Sequence, residues 1–336
     1  MLKKLLLGLI SLIAMLMVIA FGFIAYLQFA DLSRYKPIIS QKLSQYLGRP
    51  VVLGGDFNIK VLPPSLSLNE ASIVNASWGA TPNMLSVQRL ELQLGLLPLL
   101  SGKLLINEFV LDDVQVVVEH NRQGDSNWQL FEPKAEKPKA IPSQQPDALP
   151  LDFASDVNID IRNVTLSYRQ LPESQLNEFS LDTATVQGLR ELHALQLDIA
   201  GQIDSHDFQI SGQTGSLANL LSADKNYPMD LQVYALNTNW EVKGIIQNAL
   251  KLERARFHVK ANTKDLTAWQ QWLGVSIQNT PVNLNADIDG NISNLSISHL
   301  SVQAGRAAAK GNINIDMNAE KPVVTAQLKI NDIHTE

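Results

Sequence analysis

The sequence predicts a mostly β protein: an apolar N-terminal helix, then an elongated, mostly antiparallel sheet with a few short helices. Three observations carry that reading. Leu5–Ala30 is an uncharged, mostly apolar run of 26 residues behind Lys3 and Lys4. Beyond Pro50 the apolar period changes from that of a helix to that of a strand. Long helical crossovers, which a parallel sheet needs, are missing from the pattern.

The opening run exceeds the roughly 20 apolar residues that span a bilayer. It is also longer than the apolar part of a secretory signal, about 7–15 residues, and no small-x-small cleavage pattern stands at Gln28–Ala30. Residues 1–30 are therefore expected to be an uncleaved anchor, ahead of a long signal peptide or a buried helix. Lys3 and Lys4 nearly balance Arg34 and Lys36. Orientation then rests on the long C-terminal region, which translocates largely regardless of flanking charge. Met1–Lys4 is expected in the cytoplasm and Asp31 onward outside it.

Composition excludes some functions. A net charge of −6 gives no electrostatic reason to bind nucleic acid. Cysteine is absent, which rules out disulfides, a thiol nucleophile and thiolate metal ligands.

Ser33–Leu47 reads as a short helix, with Pro37 in its first turn and Gly48 at its C-cap. Ile39, Leu43, Tyr46 and Leu47 recur at helical spacing. They suit a face turned to the core, or a helix lying on a membrane surface. From Pro50 the alternation begins. Val114, Val116 and Val118 alternate with Gln115 and Glu119, and Phe257 and Val259 with Arg256, His258 and Lys260. Val282, Leu284, Ala286 and Ile288 alternate with Asn283, Asn285, Asp287 and Asp289. Ile313, Ile315 and Met317 alternate with Asn312, Asn314, Asp316 and Asn318. Val324, Ala326, Leu328 and Ile330 alternate with Gln327, Lys329 and Asn331 in an apparent final strand. Each pattern sets one face in apolar surroundings and the other in water, which antiparallel sheets tolerate. The exposed edge of that last strand predicts either a longer natural polypeptide or pairing with a partner strand.

Residues 133–150 are rich in Pro, Lys, Gln and Ala without apolar period, and are expected to be a flexible insertion loop between a 31–132 domain and a 151–336 region. In the latter, a strand–glycine–strand motif recurs at Gly201, Gly244 and Gly290, spaced by 43 and 46 residues. Ser216–Leu221 and Asp265–Leu273 read as short helical inserts, the second capped by Asp265 and ended by Gly274.

Catalytic and metal-binding patterns are lacking. The six histidines lie at no metal-ligand spacing, and no G-x-S-x-G, phosphate loop or H-E-x-x-H occurs. His206-Asp207 and Asp112-Asp113 read as turns, Gly54-Gly55 as a strand bend, and the four N-x-Ser/Thr triplets as uninformative. No metal or cofactor is expected, and the pattern argues against an enzyme.

Several stretches of the first ~130 residues resemble the AsmA family of Gram-negative envelope proteins. They are Tyr35-Lys36-Pro37 followed by Gly48-Arg49-Pro50-Val51-Val52-Leu53-Gly54-Gly55, with Leu53 in place of the family's Ile; Pro64–Leu68; Asn75-Ala76-Ser77-Trp78-Gly79; Leu97–Leu104; and Gly124-Asp125-Ser126-Asn127-Trp128. Family members usually run on well past the point where this sequence stops. The resemblance implies a sheet curled into a β-groove with an apolar concave face. It also implies anchoring in the inner membrane, projection into the periplasm, and phospholipid movement towards the outer membrane. Val114, Val116, Val118, Phe257, Val259, Val282, Leu284, Ala286, Ile288, Ile313, Ile315, Val324 and Leu328 are the groove candidates. The expected partners are phospholipids, the inner membrane, and outer-membrane or periplasmic proteins. The alternative is a periplasmic scaffold assisting outer-membrane protein assembly without carrying lipid; a hydrolase or transferase ranks last.

Overall fold

A computed structural model describes residues 33–128, 151–171, 177–189, 193–220, 222, 224–270, 274–318 and 322–331. The expected anchor at 1–30 and the loop at 133–150 lie outside these residues. Among those described, no helix is long and apolar enough to cross a membrane. The protein is mostly β, as expected: 16 strands form an open antiparallel sheet, with few and short helices.

The chain opens with a 3₁₀ turn (Ser33–Tyr35) and α1 (Lys36–Leu47). β1 (Val51–Leu53), β2 (Phe57–Val61), β3 (Pro64–Val74) and β4 (Asn83–Leu94) follow, then α2 (Leu96–Leu100) and β5 (Leu104–His120). β6 (Leu151–Gln170), β7 (Asn177–Leu189), β8 (Ala194–Ile203) and β9 (His206–Gly215) lead to α3 (Leu217–Leu220). The remaining strands are β10 (Asn226–Ala235), β11 (Thr238–Gln247), β12 (Arg254–Thr263), β13 (Val282–Gly290), β14 (Asn294–Ala304), β15 (Ala307–Asp316) and β16 (Val323–Asn331). From β3 onward each strand pairs with the next in sequence, while β1 and β2 both pair with β3. Short turns make such a meander possible. Asp204-Ser205 and Leu236-Asn237 each place two consecutive residues at positive φ, as the tight hairpin turns matched to strand twist require.

Packing divides the chain into two units. The first holds β1–β5 and residues 151–154 and 166–170 of β6; the second holds residues 155–165 of β6 and β7–β16.

In the first unit, α1 begins and ends as expected, with Pro37 in its first turn and Gly48 in the left-handed conformation at φ 67°. Its inward face is the expected one only in part. Ser44 Oγ accepts from the Val51 amide at 2.8 Å, Ser40 Oγ donates to the Val51 carbonyl, and Lys36 Nζ donates to the Gly54 and Gly55 carbonyls. A polar seam therefore ties the helix to β1. Of the four apolar positions, Leu43 and Tyr46 are turned outward, Tyr46 to 67% exposure, while Ile39 and Leu47 are half-buried. Gly54-Gly55 forms the expected bend between β1 and β2, with its amides bonded to Glu70 and Asn69 carbonyls at 2.7 and 3.2 Å.

Asp112-Asp113 is not a turn. β5 runs unbroken through it, with Asp113 in the left-handed conformation at φ 54°. Glu70 takes the same φ in β3, at the same level of the sheet. Isolated left-handed residues are tolerated by short polar side chains such as Asp, and they reset the alternation. Apolar parity changes across this line, from Leu66 and Leu68 to Ala71 and Ile73, and from Phe109 and Leu111 to Val114 and Val116.

Candidate functional site

In the second unit the registers bring apolar positions into rows that cross the sheet. One row reads Ala184, Ile199, Ile210, Val233, Trp240, Ala261, Leu284, Val302, Ala309 and Ile330, one residue from each of β7–β16. A second reads Gly188, Leu195, Thr214, Met229, Gly244, Phe257, Ile288, Ile297, Ile313 and Ala326. Directly opposed residues share a face, so each row is continuous. At about 4.8 Å per strand, ten strands carry it roughly 43 Å.

The ten groove candidates of this unit fall on that one face. Phe257, Val259, Val282, Leu284, Ala286 and Ile288 lie opposite one another on β12 and β13, and Ile313, Ile315, Val324 and Leu328 continue it on β15 and β16. Val114, Val116 and Val118 belong to the first unit, where Val114 faces Val87 and Val116 faces Leu85.

Burial varies along the face. Leu195, Phe208, Leu231, Val259 and Ala261 are buried, and Ala286 is 3% exposed, while β16 is exposed throughout. Neighbouring side chains supply much of the cover. The repeated glycines let them: a Cβ at Gly244 would lie 2.0 Å from the Arg256 carbonyl oxygen and 2.7 Å from the Phe257 ring. The phenylalanine fills the space that the missing side chain leaves. Near one end of β11, Trp269 meets Trp240 at 5.8 Å between ring centroids and donates to Thr238 Oγ1 at 2.9 Å. Asp265 caps this insert by accepting from the Thr267 amide at 2.9 Å, as the sequence suggests. Among the described residues, only short pieces such as this lie outside the sheet; no second sheet packs upon the apolar face.

The opposite face of β10–β14 is polar. Lys243 pairs with Asp230 at 2.7 Å, and Arg254 grips Asp289 through two bonds of 2.7 and 2.8 Å. Asp287 stands between two imidazoles, with His258 Nδ1 at 2.7 Å and His299 Nδ1 at 2.8 Å. Those two hydrogen bonds, that of His258 first, hold its carboxyl below the usual carboxylate range. Such exposed pairs add little to stability, but they mark the face that meets water. A recess of about 790 Å³ also opens on this side, lined by Arg254, Asp289, Ser296, Ser298, Asn314 and Thr325 among others. His206 begins β9, just past the Asp204-Ser205 turn, with Nδ1 2.9 Å from the Asp204 carbonyl oxygen.

The first unit holds a buried polar cluster that the alternation missed. Glu119, expected in water, is 0% exposed. Its carboxylate accepts from Asn75 Nδ2 at 2.8 Å, from the Ala80 amide at 3.1 Å, and from the Arg169 guanidinium, whose Nε lies at 3.2 Å. Asn127, equally buried, accepts from the Glu119 amide at 2.9 Å and donates to the Val117 carbonyl at 2.7 Å and to Asn75 Oδ1 at 3.0 Å. Asn121 arranges the approach: its Oδ1 accepts from the Gln123 and Asp125 amides, both at 2.9 Å, and folds Ser126-Asn127 back against β5. Asn75 and Asn127 are therefore structural residues of the N-A-S-W-G and G-D-S-N-W stretches. Trp128 caps the cluster edge-on to His120, with centroids 4.5 Å apart.

Among the described residues, no cluster of three or more His, Asp or Glu is placed to hold a metal ion. In comparison with known proteins, a sequence profile of the AsmA family matches residues 1–226. No curated protein matches the chain.

Proposed function

The chain belongs to the AsmA family, and from that premise we propose that it binds phospholipid acyl chains along the apolar face of β7–β16 and passes them from the inner membrane towards the outer membrane. Residues 1–30 anchor it in the inner membrane, and the described residues stand in the periplasm. It works by binding, with no bond made or broken in the lipid.

The observation that carries this reading is the row of apolar residues across ten strands, on which no second sheet packs among the described residues. A sheet face of this kind needs a cover. An acyl chain supplies one: each buried CH₂ contributes about 0.8 kcal/mol, so a chain of about 16 carbons gains on the order of 10 kcal/mol. An open surface, unlike an enclosed pocket, lets the chain shift from one strand's side chains to the next at nearly constant energy. The ion-paired opposite face keeps that side of the sheet in water.

Retained lipid tests the proposal. The full chain, extracted from membranes in mild detergent and washed extensively, is expected to keep phospholipid detectable by native mass spectrometry. A washed, folded chain free of phospholipid would count against it.

The exposed β16 edge supports a second reading. Val323, Val324, Leu328 and Ile330 are exposed on β16, which among the described residues pairs with a strand on one side only, and such an edge suits a partner strand. A scaffold for outer-membrane protein assembly would use this edge and need no lipid.

A further inference from the structure

We propose that the end of the first unit carrying the β2–β3 and β4–β5 connections dips into the bilayer surface, with α2 as its point of insertion. α2 is Leu96-Leu97-Pro98-Leu99-Leu100, and it presents Leu97 at 78% and Leu100 at 76% exposure. Leu62, at the adjacent β2–β3 connection, is exposed as well. The two connections lie side by side, because Ser65 is opposite Gln93 at the end of the β3–β4 pair. Exposed leucines clustered on a loop tip are an unfavourable surface in water, unlike singly scattered ones.

The path of the chain says what covers them. Lys36 is pinned to the Gly54 and Gly55 carbonyls, level with Asn69 and Glu70 of β3. Ser40 and Ser44 sit at Val51, further along β3 towards Ile73. The helix N-terminus therefore faces the Leu62 and α2 end. From the level of Glu70 to Pro64 is about 20 Å along the strand. Ser33–Tyr35, as a 3₁₀ turn, can span about 6 Å of it. A bilayer holding Leu5–Ala30 would therefore lie on the side of the unit that the N-terminus of α1 faces, where the exposed leucines are. A bilayer holding that run meets the tip.

The flanking residues suit a membrane interface. Tyr35 lies under the Arg34 guanidinium, 5.2 Å from its ring centroid, and Lys60 and Lys103 are exposed near the two connections. Aromatic and basic side chains are enriched where headgroups meet water. Burying the leucines among acyl chains is favourable and would hold this end of the unit at the membrane. The inference needs the apolar run to lie in a bilayer, but does not depend on lipid binding by the second unit.

The absence of cysteine makes the test clean, since every introduced thiol is unique. Full-length Leu97→Cys, Leu100→Cys and Leu62→Cys, with Ser77→Cys at the opposite end of the strands as control, are labelled with an environment-sensitive fluorophore. They are then reconstituted in phosphatidylethanolamine–phosphatidylglycerol vesicles containing lipid spin-labelled near the headgroup. Quenching at positions 97 and 100 is expected to exceed that at 77 by about twofold or more, with blue-shifted emission. Equal quenching at 97, 100 and 77 would overturn the proposal, as would failure of the chain to float with the vesicles. Adding Leu97→Asp and Leu100→Asp to the Leu62 probe should reduce its quenching, because exposed tip residues can change without unfolding the sheet. Unchanged quenching at 62 would also overturn it.

Discussion

Replacing Glu119 with alanine should destabilise the first unit by about 3–5 kcal/mol, because it leaves the Arg169 guanidinium partly buried without its counter-charge. Asn75 Nδ2 and the Ala80 amide lose an acceptor in the same step. Asn127→Ala should cost about 1–3 kcal/mol for each buried group it strands, the Glu119 amide first. These effects are not additive, since both residues belong to one network. Pairing Glu119→Leu with Arg169→Met should recover much of the loss, because an apolar pair of similar volume carries no buried charge. Urea unfolding, followed by hydrogen exchange in peptides covering β5, measures each change. A loss under about 1 kcal/mol for Glu119→Ala would show that water replaces the carboxylate and that the cluster does not hold the first unit together.

Ile288→Asp should act on lipid rather than on folding. Ile288 faces Phe257 and Ile297 near the middle of an apolar row, yet it is only half-buried. Water can reach its carboxylate, so the loss of stability should stay within about 1–3 kcal/mol and leave the sheet folded. Against an acyl chain the same charge loses its solvent, at a cost of several kcal/mol. Retained phospholipid should therefore fall about tenfold or more, since each 1.4 kcal/mol is a factor of about ten in affinity. Native mass spectrometry and a thermal melt of the same preparation separate the two quantities. A variant that unfolds would indicate a folding core covered by protein. A variant that keeps its lipid would place the lipid elsewhere.

Which parts of this architecture were legible in the sequence follows from how local their causes are. The strand faces of β12, β13 and β15 were readable because a side chain's direction in a strand depends only on its neighbours, and Val282, Leu284, Ala286 and Ile288 alternate without interruption. The caps of α1 and the Asp265 cap were readable for the same reason. Glu119 was not. Its burial depends on Arg169, fifty residues further on, and alternation alone assigns any Glu beside valines to water. The G-x-x-N-W stretch was the available signal, because it marked Asn127 as a residue with a fixed place. α1 misled for a different reason. Its apolar positions have helical spacing, but the helix meets β1 through Lys36, Ser40 and Ser44, and short hydroxyls reaching backbone groups leave no apolar trace. Asp112-Asp113 looked like a turn because Asp favours turns; the same tolerance for a left-handed backbone lets Asp113 reset a strand without ending it.

Photocrosslinking along β13 tests the lipid-binding face most directly. A photoreactive amino acid is placed singly at Leu284, Ala286 and Ile288, and at Asn283, Asn285 and Asp287, in the full chain within intact cells. The first three share the apolar face and the second three the polar one, with Asp287 held between His258 and His299. Phospholipid adducts are expected at Leu284, Ala286 and Ile288, and background levels at Asn283, Asn285 and Asp287. Equal capture from the two sets, or capture from the polar set alone, would contradict lipid binding by the apolar face.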